Sequence, residues 1–239
     1  MSAPFAPRRV LIIEHERATP AGYVESWLAE HGSEIDQLRI DVEDREADAR
    51  SYDLIVSLGS EFSASDDDVP FVEREHRLFL QGLEADVPIL GICFGGQLLA
   101  RALKAEVVKA HKAEIGWLTV ETKDERAVPA GPWFQWHFDT FTLPEGATVI
   151  AENEVGPQVF TYGRSLGVQF HPEVTPEIMD GWVHAYRHEL NAEGVDPDEL
   201  LAETRTRAGE SQARAAVLLE WYLDSVASAG GGDRREQAR

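Results

Sequence analysis

The chain is short of three things, and each shortage removes a class of function. It has one cysteine among 239 residues. That excludes an intramolecular disulfide, and a lone thiol suits a reducing compartment, so a cytoplasmic setting is expected. Basic residues are scarce as well: 22 Lys and Arg stand against 43 Asp and Glu, for a formal net charge of −21. Phosphate groups are bound by clustered cations, so neither nucleic acid nor an anionic membrane is expected as a partner. The acidity reads instead as a solvated surface. Long apolar runs are the third lack. The N-terminal stretch MSAPFAPRRVLIIEHER carries only a short one, insufficient for a signal peptide or a membrane span. No internal repeat or long linker interrupts the chain. A single domain over residues 1–228 is expected, with residues 191–228 as additional C-terminal helices and 229–239 as a disordered tail.

What the chain does have is concentrated at residues 87–103, VPILGICFGGQLLARAL. The first part is a short apolar run with branched residues, as a strand buried on both faces requires. The second part is built of strong helix formers with apolar residues at helical spacing. Cys93 sits at the junction, between Gly91 and the pair Gly95-Gly96. Glycines there allow a tight strand-to-helix turn, which holds one side chain up and aims the first helical N–H groups at whatever it attacks. The helix dipole also favours a thiolate at that place. A free cysteine is commonly a small buried hydrophobe. Glycines on both sides and the position at the junction favour a nucleophile.

Upstream, residues 9–13, 35–42 and 53–58 read as strands, the last stopping at Gly59-Ser60, and residues 20–31 and 71–82 read as helices. Strands alternating with helices predict a mostly parallel central sheet flanked by helices, with ligands at the carboxyl edge. Gly59, Ser60 and Cys93 fall on that edge. Downstream the pattern changes to short strands at 115–122, 148–152, 158–162 and 166–170, the last two joined at Gly163-Arg164 as a hairpin. This region is expected to be antiparallel or mixed. Helices follow at 176–190, 197–207 and 210–227.

A thiol nucleophile needs a base, and the base an orienter. Of eight histidines, His171 ends an apolar strand and is followed by Pro172, which stops strand pairing. Glu173, two residues on, points to the same side in extended chain and can set the imidazole tautomer. Six others, His15 among them, are scattered mostly among charged neighbours and read as structural or surface residues. His184 and His188 stand four apart on an expected helix but lack a third ligand, and Asp66-Asp67-Asp68 lacks the glycine and alternation of a calcium loop. No metal site and no cofactor are expected. Trp133, Phe134 and Trp136 read as core or pocket wall.

Gly91-Ile92-Cys93-Phe94-Gly95-Gly96-Gln97 together with Gln169-Phe170-His171-Pro172-Glu173 resembles the class I (triad) glutamine amidotransferase family. The stretches Glu114-Ile115-Gly116-Trp117 and Trp136-His137-Phe138-Asp139-Thr140 add to the likeness, which is strongest to stand-alone domains related to the amidotransferase part of GMP synthase. The resemblance implies a flavodoxin-like sheet and glutamine hydrolysis through a thioester on Cys93, with His171 as base and Glu173 as orienter. It also implies an oxyanion hole from the Phe94 N–H and the Gly59-Ser60 turn, a pocket wall at Gln97, and substrate binding by His137 and Asp139. Without the resemblance, His137 and Asp139 read equally as a polar turn. One departure stands out: the family usually has a Gly-Gly-Pro type turn where this chain has Gly59-Ser60-Glu61.

An amidotransferase delivers ammonia to an acceptor, and no phosphate-cradling synthetase loop is recognisable, so a separate synthetase or ligase subunit is implied as partner. A hydrolase of γ-glutamyl peptides or amides would use the same thiol chemistry. A catalytically silent module sensing glutamine or another metabolite is the non-enzymatic alternative.

Overall fold

The alternation of inward positions along the first strand sets up two cores, one on each face of a sheet. In the computed structural model, which describes residues 5–229, β1 (Arg9–Glu14) buries Val10 and Ile12 on one face and Leu11 and Ile13 on the other. The first face is covered by Val24 and Leu28 of α1 (Gly22–Glu30); the second by Phe71, Val72 and Phe79 of α2 (Pro70–Glu84) and Leu98 of α3 (Phe94–Ala102). Each such side chain taken from water contributes roughly 1.5–3 kcal/mol, so a strand sealed on both faces is fixed in register.

Eight strands form the main sheet. β2 (Glu34–Arg39), β1, β3 (Leu54–Ser57), β4 (Ile89–Ile92) and β10 (Ser165–Val168) run parallel in that order, as in flavodoxin-like sheets. β9 (Pro157–Tyr162), β8 (Thr148–Glu152) and β6 (Glu121–Thr122) continue it antiparallel. The expected β9–β10 hairpin forms, with Gly163 at φ +54°. The carboxyl ends of β1, β3, β4 and β10 share one edge.

Four elements differ from expectation. β5 (Val107–Thr119) is longer than the strand expected there, and it pairs with an unanticipated β7 (Pro132–Phe141) in a separate antiparallel ribbon. The exposed first half of β5 lacks alternation, and β7 is largely buried on both faces, so neither shows a period of two. The helix expected at 176–190 is broken at Tyr186 into α4 (Pro176–Ala185) and α5 (Arg187–Glu193), which puts His184 and His188 on different helices. The two last helices are one, α6 (Pro197–Trp221), running through Gly209 into a π-helical turn at Tyr222–Ala227. A helical glycine costs about 1 kcal/mol, which the burial of Ala215, Leu218, Leu219 and Tyr222 against the β1 face offsets. Of the expected C-terminal tail, residues 230–239 lie outside the described residues. Among the described residues no helix is long and apolar enough to cross a membrane.

Candidate active site

Cys93 is the single residue between β4 and α3, and its backbone is at φ +52°, ψ −107°. A non-glycine residue in that region carries about 1–3 kcal/mol of strain. The conformation is held by Cys93 N–H donating to Val168 O (2.8 Å) and by Gln97 N–H donating to Cys93 O (2.9 Å). The glycines around it are dictated by close approach. A Cβ on Gly91 would lie 2.3 Å from Gly95 O, one on Gly95 2.5 Å from Ser57 O, and one on Gly96 2.6 Å from Val168 O. Any side chain at these positions would push α3 off the sheet.

His171 and Glu173 follow β10, next to β4, which brings them to the same edge. His171 N–H donates to Phe134 O on β7 (2.8 Å), and its ring lies edge-on to Trp182 of α4 at 4.9 Å between centroids. Nδ1 is 2.6 Å from Glu173 Oε1. That leaves Nε2 buried and, among the described residues, without a hydrogen-bond partner, while Cys93, whose sulfur lies 3.7 Å from Trp136 O, is among the groups that act on the ring. Burial works against a charged ring, but the Glu173 carboxylate and the Cys93 sulfur outweigh it and hold the His171 pKa well above the ordinary imidazole value. Because folding raises this pKa, the stability it contributes is fully present below the unfolded imidazole pKa and is lost as pH rises through the folded one.

Glu173 is fixed from behind by the first residues of α1. Tyr23 N–H donates to Glu173 O at 3.0 Å. Gly22, at φ +49°, passes so close that a Cβ there would lie 2.4 Å from Glu173 O and 2.3 Å from Ile178 Cδ1. Gly22→Ala is therefore expected to destabilise the protein by about 1–3 kcal/mol and to lower turnover by displacing Glu173. Thermal melts and steady-state kinetics check both, and wild-type values in both would refute the argument.

The turn after β3 crosses the mouth of the elbow. A Cβ on Gly59 would stand 3.1 Å from His171 Cε1 and 3.7 Å from Cys93 Cβ. Gly59, Ser60, Cys93, Gln97, His137, Asp139 and His171 line one pocket, whose outer wall includes Trp136, Trp182, Tyr186, Glu61 and Glu189. Phe94, next to Cys93 in the chain, opens α3 and is buried.

Gln97 and His137 are struts in this wall. Gln97 Nε2–H donates to Asp139 O (3.0 Å) and Gln169 Oε1 (3.2 Å). His137 is buried, its Nδ1 2.9 Å from Asp139 O and its Nε2 3.0 Å from Glu114 Oε2. Glu114 also accepts from Asn153 and Gln158. Burial raises its pKa, but the bonds from His137 and Asn153 prevail and lower it. His137 and Asp139 lie on β7, not in a loop, and Lys109 pairs with the Asp139 carboxylate at 3.1 Å.

Several residues to which the sequence assigns no role converge here. Gln169 Nε2–H reaches the Cys93 sulfur at 3.8 Å. His15, read as unremarkable, is fully buried, with Nδ1 3.0 Å from Gly59 O and Nε2 2.7 Å from Glu75 Oε2. Glu16 Oε1 accepts from Ser60 Oγ (2.8 Å) and from Glu61 N–H (2.7 Å). One signal for them was available: residues 15 and 16 directly follow the β1 run and so share the carboxyl edge with Gly59 and Cys93.

A cysteine on a strand–helix elbow, facing a histidine–glutamate pair at the carboxyl edge of a flavodoxin-like sheet, defines a class of α/β proteins built around one thiol. The model of the family "Glutamine amidotransferase class-I" matches residues 24–184, and the chain belongs to that family. It is 38% identical over 192 residues to GMP synthase [glutamine-hydrolyzing] of Thermus thermophilus, covering 70% of this chain and 35% of that one. The chain thus spans about a third of the length of that synthase. To YfeJ of Salmonella typhimurium, described as glutamine amidotransferase-like, it is 30% identical over 213 residues, covering 82% and 89% of the two chains. The crystal structure of a glutamine amidotransferase from Thermotoga maritima superposes with a TM-score of 0.83 at 33% identity, covering 91% of this chain and 99% of that one. That of a glutamine amidotransferase from Methylobacillus flagellatus gives 0.82 at 26% identity, with 90% and 94% covered.

Proposed function

We propose that this protein hydrolyses the side-chain amide of glutamine through a γ-glutamyl thioester on Cys93 and supplies the ammonia to a separate acceptor enzyme. The observation that carries the reading is the split environment of His171: Nδ1 is held by Glu173, while Nε2 is buried without a hydrogen-bond partner on a ring that Cys93 acts upon. His171 takes the thiol proton as the sulfur attacks the amide carbon. The C–N bond breaks, and the proton passes from Nε2 to the departing ammonia. Water deprotonated by the same nitrogen then attacks the thioester, the C–S bond breaks, the proton passes from Nε2 to the departing sulfur, and glutamate leaves. The N–H groups of Phe94 and Ser60 receive the oxyanion in both halves. Gln97, His137 and Asp139 shape the wall against which the amino-acid end of the substrate rests. A reducing, cytoplasmic setting fits a thiol nucleophile.

Supplying purified protein with glutamine and with γ-glutamyl dipeptides, and measuring ammonia and amino-acid release, tests this. Ammonia from glutamine, alone or on adding a synthetase partner, is the expected result. Release of amino acid from dipeptides without ammonia from glutamine would make the protein a γ-glutamyl hydrolase. A Cys93 that reacts with a glutamine-analogue electrophile no faster than a free thiol would make it a silent sensor.

A further inference from the structure

The Gly59–Ser60 peptide is gripped from its far side by residues the chemistry above leaves unused. Both neighbours of the buried His15 ring accept hydrogen bonds: the Gly59 carbonyl at 3.0 Å and the Glu75 carboxylate at 2.7 Å. The Gly59 carbonyl can only accept, so Nδ1 carries a proton and donates to it. Burial opposes a charged ring, yet Glu75 prevails and the His15 pKa is raised. Phe94 and Phe71, at 4.6 and 5.4 Å between centroids, fix the plane of the ring. The next residue, Glu16, uses one oxygen to hold both Ser60 Oγ and the Glu61 N–H, while Thr19 Oγ1 donates to the other at 2.9 Å.

We propose that His15, locked by Glu75, is a positioning residue that holds the Gly59–Ser60 peptide with its N–H toward the Cys93 sulfur, and that Glu16 clamps the Ser60-Glu61 part of the turn. The inference rests on the glutamine-hydrolysis reading of the pocket. In a trans peptide the carbonyl and the N–H point in opposite directions. Tying Gly59 O to His15, away from the pocket, therefore turns the Ser60 N–H into it. Gly59 has no Cβ to oppose rotation of this peptide. Released, the peptide can turn over and present its carbonyl oxygen to the developing oxyanion, exchanging a donor for a repulsive acceptor. The Glu16 clamp gives the Ser60 hydroxyl and the Glu61 N–H one shared acceptor, which fixes the chain just after the peptide.

Full-length His15→Phe is expected to lower kcat for glutamine about 10²-fold, the loss of one oxyanion donor, with KM nearly unchanged. Alkylation of Cys93 by iodoacetamide, which forms no oxyanion, should keep its wild-type rate. His15→Gln, whose amide N–H still reaches the carbonyl, should recover part of kcat. His15→Asn, polar but too short, should not, and it carries the same expectation if the phenylalanine variant fails to fold. A folded variant with kcat within about threefold of wild type, or one whose alkylation slows in step with kcat, overturns the proposal. Should the wild type release nothing from glutamine or γ-glutamyl dipeptides, the reading of the pocket fails on its own. A crystal structure of His15→Asn then decides the positioning role: a turned-over Gly59 carbonyl supports it, and an unmoved one refutes it.

Discussion

Cys93→Ser should abolish ammonia release from glutamine, by a factor on the order of 10⁴ or more. The two side chains differ by one atom, and residue 93 is buried among backbone groups that both can tolerate, so the elbow should survive with its φ of +52° intact. What changes is chemistry. A hydroxyl is far more weakly acidic than a thiol, and His171 is too weak a base to hold an alkoxide. The elbow and the pocket stay, so glutamine should still bind, and the loss should fall on kcat. Steady-state ammonia assays and a binding titration on the same preparation separate the two. Turnover within 100-fold of wild type in the serine variant, on a preparation shown free of wild-type protein, would mean that the nucleophile lies elsewhere.

Glu173→Gln should lower kcat by about 10²–10⁴ and shift the pH profile in a definite direction. The carboxylate accepts from His171 Nδ1 at 2.6 Å and is the leading influence raising the imidazole pKa against its burial. A neutral amide keeps an acceptor oxygen but removes that attraction, so the His171 pKa falls. The imidazolium that must protonate the departing ammonia is then lost at a lower pH, and the alkaline limb of kcat moves toward acid. The stabilising contribution of the protonated ring shrinks over the same pH range, so wild type and variant should differ most in melting temperature below the wild-type His171 pKa. A variant with a lowered rate but an unmoved alkaline limb would show that Glu173 acts only by shape.

The parts of this site legible in the sequence were those whose constraints are local. Glycines 91, 95 and 96 around one cysteine announce an elbow because the backbone contacts they permit lie within a few residues. His171 and Glu173 announce themselves through two-residue spacing at a strand end. His15 gave no such signal: its meaning depends on β1 being next to β3, which brings Gly59 within 3.0 Å, and on Glu75 sixty residues later. The ribbon strand β7 was illegible for another reason. Residues 132–141 are packed on both sides, so the alternation that marks a half-exposed strand is absent, and aromatic residues there looked like undirected core. The long final helix was hidden by Gly209, whose local cost is overruled by packing made with strands two hundred residues earlier.

That packing bears on how the chain can be divided. The family model matches residues 24–184. A fragment trimmed to those limits would discard the strand that sits between β2 and β3 and the helix that roofs Val56, Leu90 and Ile92. The remainder would have a gap in mid-sheet and an oily face open to water, a recipe for aggregation. Fusions and truncated expression fragments should therefore keep residues 8–227 together.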